Sequence, residues 1–165
     1  MTDQNPHSTA KIAGHPLHPM IVPFPIAFFV AALATDLAYL QTAAPGFAQA
    51  SMWLLGAGLA MALLAAVLGL TDFVGERRVR RIREAWLHMI GNVMAVALAA
   101  VSFYLRATQG AEAAVAPAGV TLSAVVTGLL LINGWMGWAL VYRHHVGVAD
   151  GAGEPDLAHA PIRRP

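Results

Sequence analysis

Four long apolar runs constrain this chain more than any other feature. They cover about residues 20–40 (MIVPFPIAFFVAALATDLAYL), 52–73, 85–106 (AWLHMIGNVMAVALAAVSFYLR) and 120–142 (VTLSAVVTGLLLINGWMGWALVY). A helix needs about 20 predominantly apolar residues to cross the hydrocarbon of a bilayer, and each run reaches that length. The core of the second run, MWLLGAGLAMALLAAVLGL, carries no charge at all. A soluble bundle would carry a polar stripe along each helix, and these runs have almost none. Composition agrees: 58% of the residues are hydrophobic and 12% charged, where a soluble domain has about a quarter charged. The expected fold is all-α, an integral membrane four-helix bundle over residues 12–145. The polar, Pro/Gly-containing stretches 1–11 and 146–165 read as disordered tails. The N-terminus lacks the short apolar region and cleavage site of a removed signal peptide, so span 1 is expected to be a retained anchor.

Within span 1, Pro23 and Pro25 fall in the first turn, where the helical N–H groups have no intrahelical partner to lose. Regular helix is expected from near Pro25. Small residues recur at contact spacing in Gly56/Ala60 and Gly134/Ala139, which suits helices packing in lipid.

Four crossings put both termini and the 74–84 loop on one side of the membrane, side A, and the 41–51 and 107–119 loops on the other, side B. Of the ten Lys and Arg, side A holds Lys11, Arg77, Arg78, Arg80, Arg81, Arg83, Arg143, Arg163 and Arg164, and side B only Arg106. Short loops rich in Lys and Arg stay in the cytoplasm, so side A is expected to be cytoplasmic. The same rule accounts for the Arg run in 77–83, which otherwise resembles an anionic-lipid or nucleic-acid patch. No nucleic-acid partner is expected.

The histidines are as one-sided as the arginines. His7 and His159 lie in the tails, but His15 and His18 lead into span 1, His88 starts span 3, and His144 and His145 leave span 4. Asp72 ends span 2 at the same depth. Imidazole is the commonest metal ligand and titrates near physiological pH. A cluster of this kind can hold zinc, copper or iron, or ligate haem iron in a bundle core. His88 is the leading candidate, with Asn92 one turn deeper on the same helix face; the alternative is that His88 ties spans 2 and 3 together. Each His of HPLHP precedes a proline, which favours extended geometry. In a polyproline helix the two rings would stand roughly 9 Å apart, too far for one ion. One is therefore expected to reach inward toward His88 and Asp72 while the other contacts backbone or headgroup; a rigid interfacial cap on span 1 is the alternative. His144 and His145 follow Arg143 and are weaker candidates, since polar clusters at span exits commonly serve as anchors.

Asp36 and Arg106 lie within about a turn of the side-B end and can pair inside the bundle at lower cost than either alone. Otherwise Arg106 snorkels and Asp36 faces water. The four tryptophans lie near span ends, as interfacial aromatics do.

The GHPLHPMIVPFPIA lead-in, Asp36 in ATDL, Asp72 in GLTDF and the span-3 HxxxN of His88 and Asn92 together resemble the DUF2231 family, small bacterial membrane proteins with four predicted spans. The resemblance covers roughly residues 12–143. It implies a four-span fold, importance for His15, His18, Asp72, His88 and Asn92, and, since related domains are sometimes joined to electron-transfer modules, a redox role. It implies no reaction and gives no pattern for His144 or His145.

Three functions remain in view. The first is a redox or metal-binding protein, with haem b or a transition metal held through His88 and His15 or His18, serving an electron-transfer partner. The second is a small proton-coupled transporter using Asp72, His88 and Asp36, disfavoured by the absence of an inverted repeat. The third is a structural or assembly subunit whose histidines clamp the bundle, with the bilayer and further copies as its partners. No cysteine is present, which removes disulfides, thiolate metal sites and Cys nucleophiles. There is also no HExxH, phosphate loop or GxSxG, and no catalytic residues are expected.

Overall fold

A computed structural model describes residues 5–148. A two-residue hairpin, β1 (Lys11–Ile12) against β2 (His15–Pro16), runs directly into the short helix α1 (Leu17–Ile21). Four long helices follow: α2 (Pro23–Thr42), α3 (Pro45–Gly75), α4 (Arg83–Gln109) and α5 (Val120–Tyr142). They form a closed ring in which α2 packs on α3, α3 on α4, α4 on α5 and α5 back on α2. All four are long and apolar enough to cross a membrane. His159 and most of the 146–165 stretch lie outside the described residues.

Helices α3 and α4 outrun at both ends the apolar runs that predicted them, whereas α5 covers its run and no more. Helix α2 already starts at Pro23, with both prolines in its first turn, and ends where Ala43 turns left-handed at φ 54°. Thr42 caps that end, its hydroxyl donating to the Ala38 carbonyl and accepting the Ala44 N–H. Pro45 then opens α3 at once, so the 41–51 loop shrinks to Ala43 and Ala44. At 31 residues, α3 is about 46 Å long, some 16 Å more than the hydrocarbon is thick. Its surplus length carries Asp72 and Gly75 out toward the side-A interface.

The core is built from small residues and one large ring. Phe29, Ala32, Leu55, Ala62, Ala99 and Val126 form the buried cluster. A Cβ on Gly58 would lie 2.6 Å from the Phe29 ring, so that glycine is what admits it. Gly56 similarly faces Phe103, whereas a Cβ on Gly134 would face open space. Outward-facing Trp53, Leu131 and Trp135 are more than 70% exposed, as lipid-facing side chains are when no hydrophobic force gathers them inward. The buried apolar cluster lies between two groups of polar side chains. One holds Asp36, Ser102, Arg106 and Ser123; the other holds the histidines.

A candidate histidine site at the side-A end of the bundle

His18 and His88 reach the bundle interior from different helices and are held in the same way. His18 Nδ1 lies 2.8 Å from the Ala65 carbonyl on α3, and His88 Nδ1 lies 3.0 Å from the Asn133 carbonyl on α5. A carbonyl oxygen can only accept, so each Nδ1 carries the proton. In the neutral ring this leaves Nε2 with a bare lone pair. Ala65 is ten residues from the side-A end of α3 and Asn133 nine from that of α5, depths of about 15 and 14 Å.

Glycine makes the room. A Cβ at Gly69, one turn from Ala65, would stand 2.8 Å from His18 Cε1, and one at Gly137, one turn from Asn133, 3.2 Å from His88 Cε1. Gly91, three residues past His88, gives its space to the Asn133 side chain. Asn133 is 4% exposed, and its Nδ2 has no hydrogen-bond partner among the described residues. Asn92 Nδ2 donates to the His88 carbonyl at 2.9 Å, so it stiffens the turn that bears the ring.

The remaining sequence candidates are occupied elsewhere. His15 is exposed, with Nδ1 3.0 Å from the Ala13 carbonyl. The Asp72 carboxylate is turned away from the rings. Its Oδ1 accepts the Thr9 N–H at 2.7 Å and the Ala10 N–H at 2.8 Å, and the hydroxyls of Ser8 and Thr9 donate to it as well. His144 lies 3.5 Å from the Glu84 carboxylate, and His145 turns left-handed at φ 51° at the exposed exit of α5. Among the described residues no three of His, Asp and Glu gather so as to hold a metal ion. Residues 5–10, within the stretch read as a tail, are tied to both neighbouring helix ends. Arg78 Nη2 donates to the Asn5 carbonyl at 2.8 Å, and the Gly147 N–H to the Pro6 carbonyl at 2.8 Å. Arg78 also hydrogen-bonds Glu76 and holds its carboxyl well below the usual range, at about 2.

At side B, Asp36 and Arg106 do pair. Arg106 Nη2 donates to Asp36 Oδ2 at 2.8 Å, Ser123 donates to the same oxygen at 2.7 Å, and both charged side chains are wholly buried.

Sequence reasoning missed Asn133, Gly69, Gly137 and Ser123. An Asn inside an apolar run is costly in lipid, and the Asn133/Gly137 spacing was visible as a sign of it. The two glycine notches depend on which side chain lies opposite, which no single helix records.

No curated protein and no solved structure matches the chain. The family model described as predicted membrane protein (DUF2231) matches residues 14–150, which takes in all four spans and the HPLHP segment, and the chain belongs to that family.

Proposed function

We propose that this protein is a small electron-transfer subunit of the bacterial plasma membrane that holds haem b between His18 and His88, near the cytoplasmic face. One observation carries the reading. Two imidazoles on different elements, His18 and His88, each commit Nδ1 to a backbone carbonyl and leave Nε2 as the free donor atom. Ligating histidines are typically oriented in this way, the second nitrogen fixing tautomer and ring direction. Two imidazoles are a donor set that would hold haem iron, whereas zinc or copper would want three or four protein ligands. Haem would supply a one-electron couple there. The Ala65 and Asn133 carbonyls would fix the tautomer of each ring and aim it, Gly69 and Gly137 would admit the rings, and the apolar core below would exclude water. The nine side-A cations against one on side B support cytoplasmic termini, and an electron-transfer partner would dock on that face.

The direct test is haem content and the oxidised and reduced spectra of purified His88→Ala and His18→Ala. Each should lose the redox-sensitive Soret band of the parent, while His15→Ala keeps it. Full haem in both site variants would refute the assignment.

A specific observation also favours the clamp alternative: each imidazole bond joins two elements of the bundle. If both parent and variants are colourless and His88→Ala only lowers the melting temperature, the clamp is the function. Proton transport across the bundle is the weaker alternative, because the apolar belt of Phe29, Leu55, Ala62, Ala99 and Val126 lies between Asp36 and the histidines.

A further inference from the structure

We propose that Asp72 is a positioning residue for His18, acting through residues 8–17 of the N-terminal segment; the inference rests on His18 being a functional ligand. Ala65, Gly69, Asp72 and Gly75 follow one another at intervals of four, three and three residues, so they form one stripe along α3. Every member of that stripe receives something from the N-terminal segment. The Ala65 carbonyl takes His18 Nδ1, and Gly69 makes room for the His18 ring. Asp72 accepts two backbone N–H groups and two hydroxyls from Ser8, Thr9 and Ala10. A Cβ on Gly75 would stand 2.5 Å from Thr9 Cγ2, so that glycine admits the Thr9 side chain.

The two halves of this contact are linked by backbone. The Ala10 carbonyl, whose own N–H is on Asp72, accepts the Leu17 N–H at 2.9 Å. Between them the chain folds into the β1–β2 hairpin, with Lys11 opposite Pro16 and Ile12 opposite His15. His18 is the next residue. The residue's height on α3 is thus set from two ends, by Ala65 beneath the ring and by Asp72 at the base of the hairpin. The pattern also gives the HPLHP segment a physical purpose. Two prolines restrict the backbone on either side of His18, so a shift at residues 8–10 is passed to the ring instead of being absorbed. A carboxylate that accepts several N–H and O–H donors needs its charge, since each charge-assisted bond is roughly twice as strong as a neutral one. An amide at the same place keeps an acceptor at Oδ1 but loses the charge, and its NH2 replaces the Oδ2 that accepts the Ser8 hydroxyl.

The test compares Asp72→Asn, the milder Ser8→Ala/Thr9→Ala double variant and the conservative Asp72→Glu with the parent, all purified in nanodiscs. Lys11 is the sole lysine, so cleavage by a lysine-specific protease reads the hairpin alone. Asp72→Asn should be cut at least about tenfold faster, because hydrogen bonds to a charged group are stronger than neutral ones and several are weakened at once. The second readout is 15N-histidine NMR of dithionite-reduced protein. His18 should lose its single Nδ1–H tautomer signature in Asp72→Asn while His88 keeps its own, and Asp72→Glu should restore part of it. The double variant should move both readouts the same way by less. Faster cleavage with an unchanged His18 signature would overturn the proposal, since Asp72 would then only fasten the tail. Unchanged cleavage would overturn it as well. Should Asp72→Asn not fold, an unchanged double variant has the same force. Neither readout needs haem, so a colourless parent would end the haem reading and leave this test intact.

Discussion

Removing Asp36 while leaving Arg106 in place is the perturbation whose cost follows most directly from the geometry. The two groups are 2.8 Å apart with side chains at 0% exposure. At an effective dielectric constant of 20 their attraction is about 6 kcal/mol, which the desolvation of both ions offsets in large part. The net worth of the pair is therefore small, but the cost of breaking it is large. Asp36→Ala strands a guanidinium whose Nε and Nη1 already have no partner among the described residues, and the expected loss is about 3–5 kcal/mol. Arg106→Met should cost less, because Asp36 keeps the Ser123 hydroxyl. Asp36→Leu/Arg106→Met together should return to within about 1–2 kcal/mol of the parent, since a buried ion pair replaced by apolar groups is often neutral. Reversible unfolding in mixed micelles, followed by the fluorescence of the four tryptophans, gives the three values. An Asp36→Ala loss under about 1 kcal/mol, or a double variant no better than the single, would refute the argument that the pair is buried and dry.

Three further expectations follow from the side-A geometry. Gly69→Ala should disturb the histidine site more than Gly137→Ala, because its Cβ would approach the imidazole to 2.8 Å instead of 3.2 Å; His18 and His88 NMR signals rank the two. His15→Ala, at an exposed ring bonded only to the Ala13 carbonyl, should change stability by no more than about 0.5 kcal/mol in the same unfolding assay. The Glu76 carboxyl should titrate at about 2 and move toward 4.5 in Arg78→Ala, as read by carboxyl 13C shifts. Its folded value is depressed, so its stabilising contribution is complete above about 4.5 and is lost as pH falls toward 2.

The spans were legible because lipid imposes length and apolarity on every helix, and nothing in this chain competes with that signal. Their ends were less so. Pro45 begins α3 only two residues past the left-handed Ala43 terminus, and polar helix extensions look like loop in a hydropathy pattern. At the site, the pairing of Asp36 with Arg106 could be seen in the sequence, since the two charges sat at a matching depth, whereas the histidines expected to gather are spread over separate partners. Asp72 was different. At the same depth as the histidines it looked like a ligand, yet its carboxylate faces Ser8, Thr9 and Ala10. Side-chain direction around a helix end depends on what packs there, and residues 5–10 had no pattern of their own to announce it. Asn133 was hidden for a related reason: its backbone carbonyl, which sequence cannot single out, is what takes His88.

The measurement that tests the central claim most directly is the visible absorption spectrum of the purified protein, air-oxidised and then dithionite-reduced, with iron and haem counted per chain. The account predicts about one haem b per chain and a Soret band that shifts on reduction, with sharp α and β bands of a six-coordinate low-spin centre. A colourless, iron-free protein that takes up no added haem would contradict it and leave His18 and His88 as clamps between helices.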